Sequence, residues 1–365
     1  MIYIPEFQTF CSRPWNEVSF EKDGYAPCCV AKSIKFKNVE QYLASDHLSD
    51  LKNDLQQGIQ NPICNVCWQN EDNHIWSNRL EEEVKDNIIS VHMGFSNTCN
   101  LKCHMCSPAF STSLGLQERK LVGKKYKILV WNTFNNKADK RYFYKHIVPN
   151  LKLICISGGE PFQCADHYEF LNVAYRINPK LSIFYNSNCT NLYFKKQYIP
   201  NFFDRYANVS VSPSIDGFGE SNDYQRQGSD WNTVSANMLQ IKKHISEIHA
   251  TPTIYTLFSL GDLFEWGINN NIEVGIYLIS QQSYLHPSIL PDNIKTKFIK
   301  NISKRFADHP TILSKFENNL FKSLMIKSDV KNIDKFKKKT LINNANSKTN
   351  FPDFVPELKE WFNSI

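Results

Sequence analysis

Cys99, Cys103 and Cys106 stand three-then-two residues apart in the run Cys99-Asn-Leu-Lys-Cys103-His-Met-Cys106. Three thiolates at that spacing can wrap one face of a cubane iron–sulfur cluster, for which cysteine is the standard ligand. Three ligands on four irons leave one iron open to a substrate or cofactor. The same triplet can belong to a zinc site completed by His104 or His92. A second set of thiols lies upstream, at Cys11, Cys28-Cys29 and Cys64-Asn-Val-Cys67. A Cys-x2-Cys pair can grip one metal centre and two distant thiolates can close it. Cys11, one of Cys28 and Cys29, Cys64 and Cys67 therefore make a four-ligand site, and on chemistry alone structural zinc is its first candidate. The remaining cysteines, Cys155, Cys164 and Cys189, are scattered, and Cys155 falls in an apolar run where a thiol acts as a small hydrophobe.

These residues need elements to position them. From residue 88 onward strand-like and helix-like segments alternate. Residues 88–95 read as a strand that leads into the Cys99 loop, and 151–157 as a buried strand that enters a tight turn at Gly158-Gly159. A helix is expected over 165–177, strands over 181–185 and 209–215, an amphipathic helix over 232–248, and strands over 254–257 and 272–279. Such alternation predicts a parallel α/β sheet or barrel. Six strands are too few for an eight-stranded barrel and point to a partial (β/α)6 barrel. In such folds ligands gather on the loops at the carboxyl ends of the strands. The cysteine triplet and the Gly158-Gly159-Glu160 turn both lie there.

On these motifs the chain resembles the radical S-adenosylmethionine superfamily, which is marked by Cys-x3-Cys-x2-Cys after the first strand and Gly-Gly-Glu after the second. The resemblance implies an S-adenosylmethionine-binding [4Fe–4S] cluster on Cys99, Cys103 and Cys106, and cofactor contacts from Gly158, Gly159 and Glu160. It further implies ribose contacts from Asn186 and Asn188, contacts from Ser214 and Asp216, and a carboxylate partner in Arg226. Met105 stands where the family usually carries an aromatic residue, and its polarizable thioether can fill that place. The N-terminal strings Cys11-Ser-Arg-Pro-Trp15, Ala26-Pro27-Cys28-Cys29 and Cys64-Asn-Val-Cys67-Trp68 look like the auxiliary-cluster modules called twitch or SPASM domains. That likeness implies a second [4Fe–4S] cluster, with Trp68 and Trp76 as candidate shields. In better-known members the module follows the barrel, whereas here it precedes it.

The resemblance implies reductive cleavage of S-adenosylmethionine with an electron from a flavodoxin or ferredoxin, followed by hydrogen-atom abstraction from a substrate. Modification of a ribosomally made peptide is the favoured reaction, with oxidation of a small sugar or alcohol as the alternative. The expected domains are an auxiliary-cluster domain over 1–86, the partial barrel over 87–285, and a helical Lys/Asn-rich extension over 286–365.

The bulk composition restricts the choice further. A chain of 365 residues with 42% hydrophobic and 13% aromatic residues can bury a sizeable core. The net charge of +6 is mild, and the basic run at 335–339 reads as a solvated helix face rather than a nucleic-acid patch. The N-terminus does not read as a signal peptide, and no stretch approaches the ~20 apolar residues that span a bilayer. A cytoplasmic protein is expected. The competing non-enzyme reading is a binding protein with zinc in both cysteine sites, which iron content separates from the first.

Overall fold

The structure is a computed structural model and describes residues 9–72, 77–79, 83–279, 282–326 and 329–365. The chain divides into two compact units. One is Met1–Cys99 with Lys127–Asn186 and Tyr193–Ser210; the other is Asn100–Tyr126 with Ser187–Leu192 and Val211–Ile365. The strands in chain order are β1 (Glu17–Glu21), β2 (Gly24–Ala26), β3 (Ser90–Gly94), β4 (Leu153–Ser157), β5 (Ser182–Ser187), the short pair β6 (Tyr193–Phe194) and β7 (Gln197–Tyr198), β8 (Asn208–Pro213), β9 (Ile248–Ala250) and β10 (Val274–Ile276).

The first unit is built on a mixed sheet in the order β2-β1-β3-β4-β5, with β8 next in line. β1 and β2 form an antiparallel hairpin, and β1, β3, β4 and β5 run parallel. Alternation along each strand gives the sheet two unlike faces. On one face Val18, Val91, Ile154 and Ile183 align in one row, and Phe20, Met93, Ile156 and Tyr185 in the next. All eight are buried. The helix Ala165–Ile177 turns His167, Tyr168, Phe170, Leu171 and Ala174 inward at helical spacing. His167 Nε2 lies 2.8 Å from the Tyr185 hydroxyl, which fixes this helix over the apolar face. Each buried aliphatic or aromatic side chain contributes about 1.5–3 kcal/mol here.

The opposite face carries polar groups, with Leu153 and Phe184 set among them. His92 on β3 places Nδ1 3.0 Å from Ser19 Oγ and Nε2 2.9 Å from Ser157 Oγ, with Glu21 3.5 Å from Nδ1. Burial opposes the imidazolium charge, but hydrogen bonds with Cys155 and Glu21 push the His92 pKa up to about 10. The N-terminal segment therefore supplies two strands to the same sheet as β3, which the run of short elements before residue 85 did not suggest.

In the second unit Val211 bridges Ile245 and Ser214 bridges His249, both in parallel, and β9 pairs in parallel with β10. The strand expected over 254–257 is not formed: those residues make a turn and enter the 3-10 helix Leu257–Ser259. Pro252 lacks a donor for a ladder. Thr253 and Thr256 then bind the local backbone instead, with Thr253 N–H donating to Thr256 Oγ1 (3.1 Å) and Tyr255 N–H to Thr253 Oγ1 (3.1 Å). The strand is β9, at the place where the helix expected over 232–248 was to end; that helix stops at Gln240. Residues 292–365 are mostly helical, and in the helix Lys331–Ser347 Phe336 and Thr340 are buried while Lys335, Lys338 and Lys339 are exposed. Among the described residues no helix is long and apolar enough to cross a membrane.

Candidate functional site

Two neighbouring parallel strands deliver the two motifs in the first unit. β3 runs through buried Phe95 into Ser96, Asn97, Thr98 and half-buried Cys99, while β4 ends in the Gly158-Gly159-Glu160 turn. The turn is laced to the start of the cysteine loop: Gly159 N–H donates to Ser96 O (2.9 Å) and Glu160 N–H to Thr98 O (2.7 Å). Gly158 has φ +106°, a left-handed conformation that favours glycine, and a Cβ there would lie 2.9 Å from Ser96 O. At Gly159 a Cβ would lie 2.2 Å from Thr98 O and 2.7 Å from Asn97 C. Both glycines therefore exist to let two backbones touch. Replacing Gly159 by Ala is expected to cost about 2–4 kcal/mol of stability through this clash. Urea unfolding of the metal-free protein checks this, and a change below about 0.5 kcal/mol would show that the turn relaxes freely. The buried Glu160 carboxylate caps the 3-10 helix Pro161–Gln163 by accepting the Phe162 N–H at 3.1 Å. Asn186, at the end of β5, donates to Cys155 Sγ at 3.9 Å.

The second unit holds the rest of the cysteine loop. Cys106 N–H closes a turn on Cys103 O at 3.0 Å. Lys102 N–H donates to Gln227 O and His104 N–H to Gln225 O, each at 2.9 Å, so the loop is stitched to the strand of chain on either side of Arg226. Arg226, its side chain 11% exposed, forms a two-pronged ion pair with buried Asp216, Nε–Oδ2 2.8 Å and Nη2–Oδ1 2.9 Å. Burial opposes the guanidinium charge, but Asp216 and then Cys103 and Cys106 outweigh it and push the Arg226 pKa up. Burial raises the Cys106 thiol, with Ser107 and Arg226 pulling it back. A fixed cation thus stands beside two of the three thiols. Asp216 Oδ1 also accepts the Thr251 N–H at 3.1 Å, so that oxygen takes two donors while Oδ2 faces Arg226 Nε as an ion pair.

Met105 sits in the same loop, with its sulfur reached by the Gln225 amide and its carbonyl accepting from Gln282 Nε2 at 3.0 Å. Asn188 donates to Asn100 Oδ1 at 3.1 Å and accepts the Thr190 N–H at 3.0 Å. Ser214 N–H donates to Ser187 O at 2.7 Å. In the first unit the Gly158-Gly159-Glu160 turn thus meets Ser96, Asn97 and Thr98, the residues just before Cys99, and in the second Cys103, Met105 and Cys106 share a loop bonded to the residues on either side of Arg226.

His104 shows a part of the site that sequence reasoning missed. Its ring lies edge-on to Tyr224 and Tyr255, with centroids 4.8 and 5.3 Å away. Burial holds its pKa down to about 4, so the ring is neutral. Tyr224 donates to Asn344 Oδ1 and the Tyr255 hydroxyl pairs with Thr340 Oγ1, each at 2.8 Å. Tyr224 also stacks on Phe354 at 4.9 Å, and Tyr255 packs against Phe336 at 5.5 Å. The C-terminal extension therefore forms the wall behind His104. The visible signal was the spacing of Phe336, Thr340 and Asn344, four residues apart on one helix face.

The N-terminal thiols meet in one pocket of the first unit. Cys11, Cys28, Cys64 and Cys67 line it together with Arg13 and Arg79. Cys11 lies just before the helix Arg13–Asn16, Cys28 follows β2, Cys64 ends the 3-10 helix Pro62–Cys64, and Cys67 lies three residues on in the helix Asn65–Asp72. Burial pushes Cys28 up, and it pushes Cys64 up to about 12 with Cys11 and Cys67 adding to the rise. Cys29 does not line this pocket; it is exposed and accepts from Asn78 Nδ2 at 3.3 Å. Trp68 is buried beside the pocket, its indole donates to Asn61 O at 3.0 Å, and Arg79 lies over its ring. Trp76 lies outside the described residues. None of the eleven cysteines forms a disulfide. Among the described residues no three His, Cys, Asp or Glu side chains converge closely enough for a single metal ion.

No model of a known protein family matches the chain, and no curated protein matches it. Among solved structures it is similar to SuiB of Streptococcus suis bound to S-adenosylmethionine, with TM-score 0.40 and 13% identity over 75% of this chain and 56% of that one. It is likewise similar to SuiB bound to its precursor peptide SuiA (TM-score 0.40, 14% identity, 84% and 70% of the two chains). A further structure of SuiB gives TM-score 0.39 and 11% identity over 83% and 69%. The chain spans little more than half the length of the first of these, and likenesses of this size do not identify it.

Proposed function

We propose that the chain is a radical S-adenosylmethionine enzyme with a [4Fe–4S] cluster on Cys99, Cys103 and Cys106, built on a partial (β/α)6 barrel over 87–285. The observation that carries the reading is the interlock of the Gly158-Gly159 turn with Ser96 and Thr98, at the ends of adjacent parallel strands. It brings a glycine-lined backbone and Glu160 to the start of the cysteine loop, where a cofactor's amino group would be received. The donor set fits the cluster: three half-buried thiols on one short loop, two of them within the field of a largely shielded guanidinium. When bound, the cluster and S-adenosylmethionine supply one-electron sulfonium cleavage and a 5′-deoxyadenosyl radical that takes a hydrogen atom from the substrate.

The chain's own residues do the rest. The turn that Gly158 and Gly159 allow against Ser96 and Thr98 offers main-chain groups to the cofactor, and Met105 offers a polarizable surface to the adenine. Asn186, Asn188 and Ser214 supply polar contacts to the ribose. Asp216 keeps Arg226 oriented and charged beside Cys103 and Cys106, where the guanidinium balances thiolate charge and can meet the methionine carboxylate.

In the N-terminal module, 1–86, Cys11, Cys28, Cys64 and Cys67 hold a second [4Fe–4S] cluster. Each of the four thiolates would bind a different iron, so they need not converge as they would on one ion. A fully ligated second cluster suits electron relay, and modification of a ribosomally made peptide is the favoured reaction.

Iron and sulfide content with electron paramagnetic resonance, after anaerobic reconstitution, tests the reading. The expected result is about eight irons per chain and one reduced signal that S-adenosylmethionine shifts. Zinc without sulfide would overturn it.

A further inference from the structure

The helix Thr112–Val122 follows the cysteine loop directly and is fastened to it. Ser111 caps it by accepting the Leu114 N–H at 3.2 Å, and the same hydroxyl donates to Leu101 O, inside the loop, at 2.7 Å. Of the helix's eleven residues only Gly115 is buried. Leu116, Leu121 and Val122 are 52%, 54% and 64% exposed, and Phe110 just before the helix is 40% exposed. Arg119, Lys120, Lys124 and Lys125 are exposed among them, and Leu116, Arg119 and Lys120 share one face at i, i+3 and i+4. Glu118 is the one acid between residues 107 and 126. Scattered exposed aliphatics are ordinary, but several on one short helix, laced with cations, mark an interaction surface. An isolated helix of this length is marginal in water, so it gains from a partner that covers it.

The complement of this surface is acidic, with one apolar contact at Leu116 beside Arg119 and Lys120. The reaction proposed above, on which this inference rests, needs one electron per cleavage delivered to the cysteine loop. Flavodoxins are small, acidic, low-potential carriers whose reduced flavin can lose that electron as the cluster gains it. We propose that residues 110–125 are the docking surface for an acidic flavodoxin-type electron carrier. The contact is small and transient, as electron-transfer encounters are, and electrostatic steering sets its rate.

The test uses the reconstituted full chain and the variant Arg119→Glu/Lys120→Glu/Lys124→Glu/Lys125→Glu. Two quantities are read: the Kd for a purified acidic flavodoxin, and 5′-deoxyadenosine formation driven by reduced flavodoxin or by dithionite. At low salt the variant binds flavodoxin about tenfold or more weakly and is slowed alike in flavodoxin-driven cleavage, a gap that closes near about 0.5 M salt. Dithionite-driven cleavage is unchanged. An unchanged Kd and flavodoxin-driven rate overturn the docking surface. So does an acidic peptide of equal charge that binds the parent as tightly as flavodoxin, which assigns the patch to substrate instead. If the fourfold variant also loses dithionite-driven cleavage, the pair Lys124→Glu/Lys125→Glu, beyond the helix, decides by the same criteria. A parent inert with dithionite would sink the proposed function, while the Kd comparison still judges the surface.

Discussion

The Cys103→Ala protein is expected to form 5′-deoxyadenosine at least about a thousandfold more slowly than the parent, equivalent to about 4 kcal/mol of lost catalysis. The loop itself does not depend on this thiol. Its shape is kept by main-chain bonds from Lys102 to Gln227, from His104 to Gln225 and from Cys106 to Cys103, all of which alanine retains. The His104 ring remains clamped between Tyr224 and Tyr255. On the proposed reading, what is lost is one of three anchors for the cluster, on the side of the loop nearest Arg226. Chromatography of the dithionite-driven reaction reads the result, with iron content falling by about four per chain. Unfolding of the metal-free variant at the parent's temperature separates this from misfolding. Persistent 5′-deoxyadenosine would remove Cys103 from the site.

Much of this arrangement was legible because it is local. The strands over 88–95, 151–157 and 181–185 announce themselves as apolar runs, and the helix Ala165–Ile177 as an amphipathic one. Cys-x3-Cys-x2-Cys and Gly-Gly-Glu are motifs whose spacing is the chemistry. The parts that were not legible depend on partners distant in sequence. β1, Glu-Val-Ser-Phe-Glu, is polar at every second position, and only its pairing with β3 shows that Ser19 meets His92. The exchange of a strand at 254–257 for β9 turned on hydroxyl-to-backbone bonds after Pro252, which hydropathy does not register. Arg226 and Asp216 were each legible as candidate cofactor contacts, but not as each other's ion-pair partner.

The extension at the C-terminus carries the same lesson further. Its lysines read as a solvated face, and they are one, but Phe336 and Thr340 on the other side hold Tyr255, and Asn344 holds Tyr224. Through those tyrosines a segment more than two hundred residues away shapes the ring that separates Cys103 from Met105. That packing holds the His104 pKa down, so the ring is neutral. The residue offered from sequence as a possible zinc ligand is instead packed as an aromatic wedge.

The neighbouring cysteines 28 and 29 are expected to behave as opposites. Cys28→Ala should lose about four irons of the reconstituted protein, whereas Cys29→Ala should keep all of about eight. The two residues differ in where the chain turns after β2. Cys28 is buried and lines the pocket with Cys11, Cys64 and Cys67, while Cys29 is exposed on Asn78. Burial raises the Cys28 and Cys64 thiols, so thiolates form in that pocket only when a metal centre compensates them, and loading should release protons. Removing Cys28 leaves a three-thiol pocket whose fourth corner has no thiolate to replace it. In both variants the signal that S-adenosylmethionine shifts should persist, because Cys99, Cys103 and Cys106 are untouched. Cys28→Ser, closer in size, guards against a packing defect and should show the same iron loss. Loss of four irons from Cys29→Ala alone would make Cys29 the ligand, and an unchanged count in every variant would remove the second cluster from this pocket.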